Sequence, residues 1–465
     1  MSQSNFQKGQ MTTEIHKMGS NNYSEGKDYP LFIIYSNSGL EMTDCNITSK
    51  NSDLNNNDVC FYLKKSIEEQ LEEIEIQPSL YIQSSLIQDF TKVVQNNTMG
   101  NISLEKMYIS NTKGHAIDIL NPCFLEVKEC IFEKSTKSCI NLRFSKEKST
   151  QNSIERSVLV ERCEFLKGKG YGISIFGESL TFQNCIINII GNKIFSFAKD
   201  GIGIKNLNIK EILIEKNEIV ETQRSGIFLT NILDTLNFSQ VKLTENKITD
   251  SHLYGLAILS AGCYTENNEI SQNSKGGILL SSGDRAIEGE DIEFYKKYPL
   301  RNIFNADNVS QNRDSGVIIM GVLKGPLIFN GCRVFGNTNG FYIRQVIESP
   351  SNNKLTNDNK ELHIKNETIG DIVLDKCNIH ENLVNGVHIK SILNQIYLKG
   401  TMIYSNKNYA AFLQREEDKE KLVFKGEGKK NKVKHYIFGY VGGPWGLLYD
   451  QSYGNACKGA KCSIF

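Results

Sequence analysis

Proline and tryptophan are scarce in this chain, with seven prolines and one tryptophan among 465 residues. That composition leans away from two or three ordinary domains and toward one elongated repeat array. Net charge is also missing: 53 basic residues balance 53 acidic ones, which leaves no global pull toward nucleic acid or acidic lipid. No run of about 18 apolar residues occurs, so a spanning helix is excluded. The polar opening "MSQSNFQKGQMTTEIHKMGSNNYSEGKDYP" has no apolar core of signal-peptide length, and the expectation is a cytoplasmic protein. In that compartment the twelve cysteines stay reduced and serve as small buried hydrophobes.

What is present is repetition. "NEIVETQRSGIFLT" from Asn217 returns as "NKITDSHLYGLAIL" from Asn246 and "NEISQNSKGGILL" from Asn268. If the leading Asn is position zero, the slot is filled in turn by Cys45, Met107, Cys130, Cys163, Cys185, Asn217, Asn246, Asn268, Asp307, Cys332, Cys377 and Thr401. Two residues on, every candidate coil carries an apolar residue, from Ile47 to Ile403. Positions minus five and minus three are mostly apolar as well, as in Leu125 and Val127 or Ile372 and Leu374. Alternation with period two describes short strands buried on one face. Nine residues after zero comes a small residue such as Ala116, Cys139, Gly226, Gly277 or Gly386; after Cys185 an insertion delays it to Gly201. One rung of three short strands cannot bury its own apolar face, so about twelve coils stack into an all-β parallel solenoid. Asn in the slot tolerates left-handed backbone and bonds to the Asn above and below.

The pattern apolar-x-apolar-x-x-[Asn/Cys]-x-apolar, followed by Gly-apolar-x-apolar, resembles the right-handed parallel β-helix of the pectin-lyase-like superfamily. It is most similar to the cytosolic branch found in F-box proteins and SHC SH2-domain-binding proteins. The resemblance spans about residues 30–414 and implies the fold and its handedness. No F-box is seen in the first hundred residues.

The array is expected to be flanked and interrupted. Residues 1–29 read as a disordered tail. Residues 50–100 read as an insertion whose "FYLKKSIEEQLEEIEI" has helical spacing, with Leu63, Ile67, Leu71 and Ile74 on one face. Loops 281–300 and 348–368 leave between strands. Residues 415–465 read as a charged linker followed by an aromatic segment, Tyr436 to Tyr449, that folds back over the last rung or docks on another protein.

The enzymes of that superfamily imply clustered outward aspartates with calcium or a basic residue. Here the outward acids Glu161 and Glu215 fall two rungs, about 10 Å, apart, and the "SGDRAIEGED" loop with Asp284, Glu288, Glu290 and Asp291 lacks calcium-loop spacing. His388 stands alone, and "CKGAKC" lacks the second half of a zinc site. No catalytic residue, metal or cofactor is assigned.

Two signals remain. The outward residue of the strand after the glycine turns apolar at Phe228, Ala257, Leu279, Ile318 and Tyr342, which marks a partner site or a surface covered by the chain itself. The terminal "CSIF" matches a prenylation box at Cys462, with Cys457, Lys458 and Lys461 nearby to supply a second membrane signal; the alternative is an ordinary tail. The expected function is a non-catalytic protein-interaction scaffold for an unidentified protein partner, with membrane association through a C-terminal lipid. The alternative is a carbohydrate-active enzyme or polysaccharide-binding protein, and a third reading is a substrate-recognition component of a ubiquitin ligase.

Overall fold

The computed structural model describes residues 29–35, 39–48, 58–64, 79–96, 100–145, 156–178, 182–232, 241–281, 301–321, 325–344, 371–391, 396–413 and 424–426. The chain divides into two compact units, Met1–Ile232 and Leu233–Phe465. Each is built from rungs of three parallel strands, and no helix occurs among the described residues. In the first unit one rung runs through a leading strand Phe124–Lys128, a short strand Ile131–Glu133 and a trailing strand Ile140–Phe144. The next rung repeats this at Arg156–Glu161, Glu164–Leu166 and Ile173–Gly177, paired residue for residue as Val127 with Val160, Phe132 with Phe165 and Leu142 with Ile175. The second unit does the same, as in Leu327–Asn330, Arg333–Phe335 and Asn339–Arg344.

Alternation decides which side chains enter the core. In the first unit Ile109, Phe132, Phe165, Ile194 and Ile219 stack along the short sheet, each at most 1% exposed, with the Phe132 and Phe165 rings 5.0 Å apart and nearly parallel. Each buried ring of this size contributes roughly 2–3 kcal/mol.

The structure corrects four expectations. Residues 50–100 do not leave the array as one insertion: Asp58–Lys64, Ser79–Gln83, Leu86–Gln88 and Lys92–Asn96 are strands of it, and Leu63 is a fully buried strand residue. Ile67, Leu71 and Ile74 lie outside the described residues. That region supplies a coil missed in the sequence, with Ser85 in the zero slot, where its Oγ accepts from the Cys45 N–H at 3.0 Å. Cys185 is not a zero position. It pairs with Arg156 inside a leading strand, and Asn192 fills the slot, accepting from the Cys163 N–H at 2.9 Å; Gly201 then follows nine residues later without an insertion. Finally, the repeat passes residue 414, because Phe424–Gly426 pairs with Ile396–Lys399. The 1–29 tail is described only at Tyr29, and the Tyr436 to Tyr449 segment lies outside the described residues.

The turns also differ from expectation. The left-handed residue is the one before the slot, as at Glu129 (φ 52°), Lys216 (φ 55°) and Gly331 (φ 65°), and again four after it, as at Lys134 (φ 57°) and Gly336 (φ 67°). The slot residue itself carries the ladder. Asn192 donates to Asn217 at 2.9 Å in the first unit, and Asn246 donates to Asn268 at 2.9 Å in the second. A second ladder, five residues after the slot, joins Asn273, Asn312, Asn337, Asn382 and Asn406 through side-chain contacts of 2.8 to 3.2 Å.

Asp307 interrupts the first ladder. Its Oδ1 accepts from the Asn268 N–H and Nδ2, both at 2.8 Å. Burial pushes its carboxyl up to about 6, although Thr265 and Asn268 pull it down. The unfolded value is about 3.9, so the native state binds more protons between these values, and the stability contributed by Asp307 is full at acid pH and lost as pH rises through 6. Asp307→Asn removes that dependence. Wild type is expected to lose about 2 kcal/mol relative to the variant between pH 4 and pH 8; urea midpoints that keep a constant gap across this range would refute it.

Candidate functional site

In the first unit the trailing sheet turns polar, cationic and aromatic side chains outward in register. Gln95, Asp118, Asn141, Ser174, Gly203 and Phe228 occupy one row on six successive rungs, about 24 Å at the strand spacing. Two residues further along each strand, Arg143, Phe176 and Lys205 form a second row. His115, Tyr171 and Asp200 stand just before the small-residue slots at Ala116, Gly172 and Gly201.

Asp118 is the anchor, 5% exposed. Its Oδ1 accepts from Asn141 Nδ2 at 2.9 Å and Arg143 Nε at 3.2 Å, and Lys92 Nζ lies 3.2 Å from Oδ2. Burial raises the Asp118 pKa, but the Asn141 hydrogen bond and the charges of Arg143 and Lys92 outweigh it and hold the carboxyl below its ordinary value. It is a fixed anion. Ser174 Oγ donates to Asn141 Oδ1 at 2.8 Å, extending the network one rung further.

His115 has the opposite tuning. Burial pushes its imidazole down to about 4, with Asp118 opposing and Lys137, Lys92 and Arg143 assisting, so it is neutral at physiological pH. Its Nδ1 is buried without a hydrogen-bond partner.

Further along, cations sit over rings. Lys205 Nζ is 5.8 Å from the Tyr171 ring centre, 5.6 Å from Phe176 and 5.0 Å from Phe228, and donates to Tyr171 OH at 3.4 Å. Lys199 lies 5.1 Å from the Tyr171 ring and the Arg224 guanidinium 5.7 Å from Phe228. Among the described residues neither Lys199 nor Lys205 has a carboxylate within ion-pair reach. Asp200 is fully buried, accepts from the Ser225 N–H at 2.8 Å, and is pushed up by burial. Gly203 keeps the floor open beside Tyr171, since a Cβ there would meet the ring at 2.8 Å.

The five residues of the apolar row therefore part company. Phe228 belongs to this cationic and aromatic face of the first unit. Ala257, Leu279, Ile318 and Tyr342 follow one another in register in the second unit, continued by His388 and Phe412; Ala257 and Ile318 are 2% and 5% exposed, and Leu279 and Tyr342 are half-buried. Cys457 and Cys462 lie outside the described residues, as do Asp284, Glu288, Glu290 and Asp291. Sequence reasoning passed over Lys92, Arg143, Tyr171 and Lys205 because only one outward row was followed. The signal was one row further, where Arg143 and Lys205 recur at the same distance from their slots. Among the described residues no three metal-ligating side chains converge.

The sequence matches the family model described as right handed beta helix region over residues 86–231 and 232–360, together more than half of the chain. No curated protein matches it significantly. Several solved structures also match. The periplasmic alginate epimerase AlgG has a TM-score of 0.42 at 11% identity, covering 79% of this chain and 77% of that one. For the A-module of the Azotobacter vinelandii mannuronan C-5 epimerase the values are 0.33 and 11%, covering 80% and 91%. For the Dettilon tailspike protein they are 0.19 and 12%, covering 82% and 59%. None of these matches supports the narrower resemblance to F-box and SHC SH2-domain-binding proteins. With parallel rungs, stacked slot residues and the family model in agreement, the chain belongs to the right-handed β-helix family.

Proposed function

We propose that the outward trailing face of the first unit binds an acidic saccharide, which makes this a carbohydrate-active or polysaccharide-binding β-helix. The observation that carries the reading is Lys205, an ammonium held over three aromatic rings with no carboxylate within ion-pair distance among the described residues. A sugar ring offers apolar C–H faces to such rings, and its carboxylate supplies a direct ion-pair partner. Asp118, held ionised, fixes Arg143 and Lys92 at the edge of this face.

The test is calorimetric titration of the full chain with oligouronates and with neutral glucan oligosaccharides of equal length. Oligouronate binding is expected, and Lys205→Gln should weaken it roughly tenfold, about 1.4 kcal/mol, without moving the thermal midpoint. Equal affinity for the neutral sugar, or an unchanged Lys205→Gln variant, would sink the reading.

A second reading rests on the in-register row Ala257, Leu279, Ile318 and Tyr342 in the other unit, which suits a protein-interaction scaffold, placed in the cytoplasm and tethered through Cys462. Its readout differs: Tyr342→Asp abolishes capture of a protein partner and leaves oligouronate binding intact.

A further inference from the structure

We infer that Cys130 with Cys163, and Cys332 with Cys377, are preformed sites for disulfides that staple one rung to the next. The inference is independent of the saccharide reading. All ten described cysteines are thiols, but these four alone among them form pairs in the same slot of adjacent rungs. Backbone bonds fix the pairing: the Glu164 N–H donates to Cys130 O and the Asn378 N–H to Cys332 O, both at 2.8 Å.

The side chains share one orientation. Cys130 and Cys163 reach back to Leu104 O and Val127 O at 3.5 and 3.4 Å, and Cys332 and Cys377 reach to Phe304 O and Phe329 O at 3.4 Å each. The sulfurs thus stack in columns, one thiol to a rung. A rung spacing of about 4.8 Å falls inside the Cα separation of about 4.4 to 6.8 Å that a disulfide needs.

Both pairs also close rungs lengthened by an intervening segment. Asn246 and Asn268 close a rung 22 residues apart. Cys130 and Cys163 are 33 apart and Cys332 and Cys377 are 45 apart, and each span contains a long segment between its trailing and leading strands, 146–155 and 345–370. Closing a longer loop costs more entropy, and a cross-link removes more of it from the unfolded chain.

The chemistry is thiol exchange with a small-molecule disulfide such as oxidised glutathione. One thiolate attacks the glutathione disulfide, forming a mixed disulfide and releasing one glutathione thiolate. The neighbouring thiolate then displaces the second. The protein loses two protons and two electrons per pair, and both pass to the two reduced glutathiones. Since all four side chains are fully buried, exchange waits on local opening of a rung.

The test is peptide mapping of the full chain after incubation in a glutathione redox buffer at urea concentrations rising to the unfolding midpoint, with free thiols blocked before digestion. The expected products are the two links Cys130 to Cys163 and Cys332 to Cys377, with a thermal midpoint roughly 5 °C higher than under reducing conditions. Cys130→Ser should abolish the first link and leave the second. Absence of links at every urea concentration, or links spread equally to Cys139, Cys185 and Cys263, would overturn the inference.

Discussion

Asn337→Ala is expected to destabilise the second unit by about 4 kcal/mol, the largest effect of any single side-chain truncation considered. Asn337 is fully buried at the middle of the second ladder. Its Oδ1 accepts from the Asn312 N–H and Nδ2, both at 2.9 Å. Its Nδ2 donates to Val309 O at 3.1 Å and Phe335 O at 3.0 Å. Truncation strands the two Asn312 donors and removes the donor that Val309 O uses, in a core that admits no solvent. Each buried group left unpaired costs about 1–3 kcal/mol. Urea unfolding followed by circular dichroism reads the loss; a change below about 1 kcal/mol would show that the ladder is decoration.

Gly340→Ala should cost about 3 kcal/mol or more, for a reason that lies in the backbone. A Cβ at Gly340 would sit 2.4 Å from Gly386 O, 2.6 Å from Ile379 Cγ2 and 3.0 Å from Asn382 Nδ2. The carbonyl belongs to the next rung and cannot yield without parting the strands, and the carboxamide is a rung of the ladder. The glycine column and the asparagine ladder are thus one device, since glycine gives the room that the Nδ2 groups occupy. In the first unit, where Thr112 and Ser135 stand in the ladder position, Ala116 and Cys139 fill the glycine slot without difficulty. The thermal midpoints of Gly340→Ala and of the milder Ala116→Gly control decide it: equal small shifts would mean that the close approach is unimportant.

The solenoid was legible because its signal is periodic and local. An apolar residue two after the slot and a small one nine after it are packing requirements met by every rung, as at Ile219 and Gly226. Where two frames fit, the text misled. The run "CIINIIGNKIF" offers both Cys185 with Ile187 and Asn192 with Ile194, and only the glycine at Gly201 separates them. Ser85 escaped notice because Val94, not a small residue, follows nine places on. The left-handed turns left no trace, since Glu129, Arg162 and Lys216 are ordinary surface residues held there by backbone bonds such as Glu129 N–H to Glu161 O at 3.0 Å. The candidate site was hidden for a different reason. Asp118, Arg143, Tyr171 and Lys205 are separated by a rung or more of sequence, so their meeting is a property of register, and burial of a row read as outward and merely polar is visible only in three dimensions.

Two of the three corners in each rung are constant, and the third is not. With the one exception of 49–57, every internal segment outside the described residues falls between a trailing and a leading strand, from three residues at 322–324 to twenty-six at 345–370. At Ile202–Glu215 the same corner vanishes and the two strands run on as one. The fold therefore separates what must be copied from what is free to change. A lineage can lengthen, shorten or replace one segment without disturbing the register of its neighbours, and each new segment departs from the same edge, beside the strand ends that carry Arg143 and Lys205. Variation in such a chain is filed in order, one drawer to a rung.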